Sequence, residues 1–112
     1  MTDSQLLIGI MQNDERAWKH ICKNMKQGFT SILVQTFQFS NLTNEDIEDI
    51  FQESLIVLMQ KVKSGSILIS REGALFSYLV QIGKLTACNL VRKRKDIISD
   101  DVVTISDNLH KE

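Results

Sequence analysis

The chain has no proline and only five glycines in 112 residues. Proline deletes a helical hydrogen bond, and glycine weakens a helix interior by about 1 kcal/mol relative to alanine. A chain poor in both can run in long helices and lacks the turn residues that a many-stranded β fold needs. Its apolar residues recur at spacings of three and four, the period of one helix face. The expectation is an all-α fold, a compact bundle of about four helices. With 43% hydrophobic residues, a chain of this length builds one domain with its own core.

Four helical segments follow from the pattern. The first spans 3–12, with Leu6, Leu7, Ile10 and Met11 on one side and Thr2, Asp3 or Ser4 as its cap. Asn13-Asp14 breaks it and caps the next. From Trp18 through Ile21, Cys22, Met25, Phe29, Ile32 and Leu33 to Phe37 the stripe is sustained, which predicts a single helix over about 15–38 with Gly28 inside it. Thr43-Asn44-Glu45-Asp46 fits a variant capping box. It opens a third helix over 44–63, with Ile47, Ile50, Phe51, Leu55, Leu58 and Val62 as its buried stripe. Ser64-Gly65-Ser66 ends that helix, and Ile67-Leu68-Ile69 reads as an extended loop. Ser70 is the expected cap of a fourth helix over 71–95, with Glu72 in its first turn and Leu75, Leu79, Ile82 and Leu90 facing the core.

Charge divides the chain into a domain over 1–95 and an acidic tail, or linker start, over 96–112. Residues 1–95 hold 12 Lys/Arg and 9 Asp/Glu, whereas 96–112 hold one Lys and five acids. The apolar runs look too short for a transmembrane span, and the start carries no basic, apolar leader pattern. Cys22 and Cys88 lack metal spacing and read as free thiols. The expectation is a cytoplasmic protein without membrane insertion.

Two surfaces stand out. Glu45, Asp46, Glu48, Asp49 and Glu53 crowd nine residues, and no Lys or Arg lies between Gly28 and Lys61 to pair with them locally. At 100° per residue, Glu45, Asp49 and Gln52 fall within about 60° of one another, with Glu53 adjacent and the apolar stripe opposite. This is either a solvated face near a helix N-terminus or a docking surface for a basic partner. On the last helix, Ser77, Gln81, Lys84, Cys88, Arg92 and Lys95 form a polar stripe ending in Arg92-Lys93-Arg94-Lys95. Four cations in a row exceed what a helix dipole alone calls for and suit phosphate contacts. Tyr78 and Phe76 flank the core stripe, as rim packing or as a stacking surface for an unpaired base. His20 and Cys22 are two residues apart and point to different faces, His110 lies in the tail, and no phosphate-binding glycine loop or zinc spacing occurs. An enzyme, a metal site or a cofactor is not expected.

Glu45-Asp46-Ile47-Glu48-Asp49-Ile50-Phe51-Gln52-Glu53 resembles the E-D-A-E-D-L-V-Q-E run in region 2 of bacterial RNA polymerase sigma factors of the extracytoplasmic-function (ECF) type. Ser77-Tyr78-Leu79-Val80-Gln81-Ile82-Gly83-Lys84 through Arg92-Lys93-Arg94-Lys95 is similar to that family's A-W-L-Y-x-I-A-R-N-L-x-x-D-x-L-R-R pattern, and Leu6-Leu7 through Asn13-Asp14-Glu15-Arg16-Ala17-Trp18 looks like its start. The likeness covers about residues 5–95.

The resemblance implies a transcription initiation factor. Asp46, Asp49, Gln52 and Glu53 would meet the clamp coiled coil of core RNA polymerase. Ser64, Ser66, Tyr78, Lys84, Asn89, Arg92, Lys93 and Arg94 would meet the promoter −10 element, with the loop from about Ser64 to Arg71 taking a flipped base. An anti-sigma factor is a further partner that the family allows. Gly83-Lys84-Leu85 stands where the family has Ala-Arg-Asn, and Asn89 where it has Asp. Whole members carry a second helical region that reads the −35 element, so the chain looks like one region of such a factor. The alternative is a helical DNA-binding regulator, or an adaptor, that does not touch polymerase.

Overall fold

The computed structural model describes residues 1–67 and 71–101, with side chains as far as Arg94. Those residues form five helices: α1 Asp3–Met11, α2 Glu15–Asn24, α3 Lys26–Thr36, α4 Asn44–Lys63 and α5 Ala74–Asp101. The all-α class read from the sequence is the one the chain adopts. Thr2 and Gln5 make a capping box at α1, and Asp14 caps α2 through the Arg16 N–H. Thr43 and Asp46 form the anticipated box at α4: the Asp46 N–H donates to Thr43 Oγ1 at 3.0 Å, and the Thr43 N–H donates to Asp46 Oδ2 at 2.8 Å.

The helix expected over 15–38 is two helices. Met25 separates α2 from α3 at φ −109° and ψ −20°, so the path bends without leaving the right-handed region. Beyond the bend, Phe29 and Leu33 are fully buried, whereas Cys22, placed in the apolar stripe by a straight-helix reading, is exposed. Gly28 belongs to this geometry. A Cβ there would lie 3.1 Å from Phe76 Cζ, so a bare backbone lets the α5 ring pack against α3.

The helix expected over 71–95 starts later and runs further, from Ala74 to Asp101. Gly73, at φ +93°, interrupts the path before it. The cap expected of Ser70 is supplied by Asp3 of α1. The N–H groups of Gly73 and Leu75 both donate to Asp3 Oδ2 at 3.0 Å. In return the Asp3 N–H donates to the Glu72 carboxylate at 3.1 and 3.2 Å. Glu72 therefore serves the start of α1, not the first turn of its own helix. Asp3 is only 4% exposed, and its carboxylate spends its charge where the helix dipole favours an anion. Leu68, Ile69 and Ser70, and the acidic segment 102–112 with His110, lie outside the described residues.

The core centres on Phe29. Its ring meets Phe51 of α4 edge-on, with centroids 5.0 Å apart and planes at 72°. On its other side Gly83 of α5 comes so close that a Cβ would run into the ring. Around this junction lie Leu6, Ile10, Ile21, Leu33, Leu58, Leu75 and Leu79, all at most 1% exposed. Ser54 is fully buried on α4, and Leu55 packs half-buried at the edge of the core. The Ser54 hydroxyl donates to the Ile50 carbonyl, so its burial leaves nothing unpaired. The expectation that no segment is apolar and long enough to span a membrane needs correction: Ala74–Arg94 of α5 meets that test by length and composition. Leu75, Leu79, Val80, Ile82 and Ala87 of this helix are buried in the core, and about a third of the apolar span is buried in all.

Removing the shared cap should loosen both helix starts at once. Asp3→Ala is expected to cost about 2 kcal/mol in urea denaturation, and Asp3→Asn, which keeps an acceptor oxygen, clearly less. A cost for Asp3→Ala below about 0.5 kcal/mol would show that the cap holds nothing.

Candidate docking and nucleic-acid interface

The acids of α4 sort by helical angle. The buried stripe of Ile47, Ile50, Phe51, Ser54 and Leu58 points inward. Asp46 and Glu48 flank that stripe on opposite sides, and each finds a cation from another helix. Arg94 of α5 holds Asp46 through both nitrogens, Nη1 to Oδ2 at 3.0 Å and Nη2 to Oδ1 at 2.8 Å. Lys26, at the start of α3, lies 2.7 Å from Glu48 and 5.9 Å from the centroid of the Phe51 ring. Glu45, Asp49, Gln52 and Glu53 turn outward and are exposed. Asp49 and Glu53 have no cationic partner among the described residues. The α4 face thus separates into two structural acids and an open row of Glu45, Asp49, Gln52 and Glu53.

The electrostatics follow the geometry. Hydrogen bonds from the Arg94 guanidinium first, and from the Thr43 N–H second, hold the Asp46 carboxyl far below its usual value of 3.8. Lys26 draws the Glu48 carboxyl down in the same way. Asp46 raises the already high Arg94 value, so the guanidinium stays charged.

On α5, Ser77, Gln81, Lys84, Cys88 and Arg92 are all exposed along the outer side of the helix. The side chain of Lys95 lies outside those described. Asn89 and Lys93 turn toward α4 and, with Thr86, Leu90 and Arg94, face Asp46, Asp49, Ile50 and Glu53 across a groove of about 430 Å³. The acidic surface of α4 and the basic surface of α5 are therefore neighbours, and Asp46 and Arg94 join them directly. Lys84, Arg92 and Lys93 have no carboxylate partner among the described residues.

The loop residues sit elsewhere. Ser64 ends α4 with its hydroxyl 3.1 Å from the Lys61 carbonyl and 2.8 Å from the Ser66 hydroxyl. Gly65 takes φ +75° between them. Beside this turn is a hollow of about 280 Å³, walled by Leu7, Met11, Val62 and Ile67 and edged by Lys63, Ser64 and Gly65. Tyr78 is half-buried against the core, as is Phe76.

Sequence reasoning missed both cross-helix pairs, because their partners are 22 and 48 residues apart. The helical angles of Asp46 and Glu48, at the two edges of the apolar stripe, were the signal available. Compared with known proteins, the chain matches no family model, and no curated protein or solved structure is similar to it.

The Asp46–Arg94 pair carries a pH signature. A carboxyl held below its usual value stabilises the fold above pH 3.8 and loses that contribution as the pH falls through its folded value. The stability gap between the wild type and Asp46→Asn should be full at pH 7 and narrow steadily below about pH 4, read by denaturation at pH 7, 4, 3 and 2. A gap independent of pH would remove the ion pair from the account.

Proposed function

We propose that the chain is a region 2-like domain of an ECF-type sigma factor, a transcription initiation factor that docks on core RNA polymerase and engages the promoter −10 element. The observation that supports this most is the adjacency of two chemically opposite surfaces on packed helices. The outward row of Asp49, Gln52 and Glu53 on α4 offers acceptors to a basic partner such as the polymerase clamp coiled coil. The outer side of α5, with Lys84, Arg92 and Lys93, offers cations to phosphates. The resemblance in the EDIEDIFQE run and in the α5 stripe lends the specific partners.

The mechanism in this reading is binding, not covalent catalysis. Cations of α5 hold the backbone of the promoter strand. The hollow beside Ser64 and Gly65 has apolar walls for the faces of a planar base, the Ser64 hydroxyl at its edge and Lys63 at its rim. Contact with a splayed strand offsets the cost of unstacking, a few kcal/mol per step. Such a protein acts in the cytoplasm, needs no cofactor, does not insert into membranes, and has an anti-sigma factor as a regulator that its class allows.

The Asp46–Arg94 pair favours a second reading. If the acids of α4 serve chiefly to anchor α5, the chain is a helical DNA-binding regulator or adaptor that does not touch polymerase. Polymerase binding separates the two. Asp49→Lys reverses an exposed charge with no partner among the described residues, so the fold should survive it. The variant is expected to lose at least tenfold in affinity for core RNA polymerase, and an unchanged affinity would exclude docking through α4. Arg92→Ala with Lys93→Ala should weaken single-stranded DNA binding and flatten its salt slope by about 1–2. An unchanged slope would leave these cations as solvated surface charge.

A further inference from the structure

We infer that Arg94 is an internal guard on the docking helix: it occupies Asp46 in the free chain, so that a partner taking Asp46 releases Arg94 to nucleic acid. The inference rests on the reading that α4 docks on polymerase and α5 contacts DNA, and it adds a coupling between the two.

The geometry sets the two uses in competition. Both carboxylate oxygens of Asp46 are engaged by Arg94, and Oδ2 also accepts from the Thr43 N–H. The Asp46 side chain is left 14% exposed, beneath an arginine that is itself 45% exposed. A cation from a partner reaches Asp46 only by displacing Arg94. The same limit applies to Arg94. Its two terminal nitrogens are engaged by Asp46, which also neutralises its charge, so a phosphate meets that paired face and the full positive charge only when Asp46 gives them up. The neighbours differ. Asp49 and Glu53 stand open on the same groove, as does Lys93 on its other wall. A basic partner therefore meets Asp49 and Glu53 first and competes for Asp46 second. Once it does, Arg94 joins Lys93 and Arg92 as a free cation in the second half of α5.

The exchange of partners at Asp46 is itself the switch. Its thermodynamics are reciprocal: docking raises affinity for DNA by the same factor by which DNA raises affinity for docking. Free chain then binds DNA poorly, with one of its end cations already neutralised.

The test uses the full chain with two probes, core RNA polymerase and a fluorescent single-stranded −10 oligonucleotide, and three variants. Arg94→Ala removes the guard. Asp46→Asn releases Arg94 yet keeps an oxygen for the Thr43 N–H. Arg94→Lys keeps the charge and loses the paired geometry. Helical content and thermal unfolding confirm that each is folded. Arg94→Ala should bind polymerase about fivefold tighter or more, with Arg94→Lys between it and the wild type. Asp46→Asn should bind the oligonucleotide tighter, with a salt slope steeper by about 1. If the wild type binds both probes but neither variant gains, the guard is overturned while the functional reading stands. If the folded wild type binds neither probe, the functional reading falls and the coupling with it.

Discussion

Three helices meet on one phenylalanine. Phe29 of α3 sets its ring edge-on against Phe51 of α4 and flat space against Gly83 of α5. The absent side chain at Gly83 lets α5 approach until backbone and ring are in contact, and the edge-to-face pair fixes how α4 sits beside them. That close junction is what lays the second half of α5 along the first half of α4. Without it, Arg94 would not reach Asp46, and Asn89 and Lys93 would not share a groove with Asp49 and Glu53. The surface chemistry is thus a consequence of how tightly the interior is filled.

A second constraint acts at the other end of α5. Asp3 caps α5 while Glu72 accepts the first N–H of α1, beside the Thr2 cap, so each helix start draws on a residue next to the other. Four-residue capping motifs satisfy a helix locally, as Thr43 and Asp46 do for α4. The start of α5 follows Gly73 at a positive φ and draws its acceptor from the far end of the sequence. The bundle therefore ties α5 at its start, through Asp3, and in its second half, through Arg94, and both ties are charge-assisted hydrogen bonds. Between them runs an outer stripe that no core contact restrains, which leaves Lys84 and Arg92 available to solvent and to a polyanion.

Much of the fold was legible in the residues. The apolar periodicity placed α1 and α4 within a residue of their ends, because each carries a local cap and a regular stripe. It ran α2 and α3 together because nothing in the sequence marks Met25: the bend keeps right-handed angles and uses no proline, and Gly28 reveals its purpose only when Phe76 packs on it. It began α5 too early because Ser70 and Glu72 offer a plausible local cap, while the true cap is 70 residues away at Asp3. The candidate surfaces were legible by the same measure. The outward positions of Asp49, Gln52, Glu53, Lys84 and Arg92 follow from 100° per residue. The pairing of Asp46 with Arg94 does not, since helical angle says which side of its own helix a residue occupies and nothing about which helix lies there.

The sequence by itself determined that this protein is helical, most of the residues that turn inward on α1, α4 and α5, and that acids gather on one helix and cations on another. These are properties of short segments, set by hydrogen bonding and side-chain spacing within a few turns. Only the tertiary structure decided that Asp3 would serve α5, that Lys26 would hold Glu48, and that the acidic and basic surfaces would share a groove closed by Asp46 and Arg94. Those outcomes depend on contacts between residues tens of positions apart, which take shape only when Phe29, Phe51 and Gly83 fill one space.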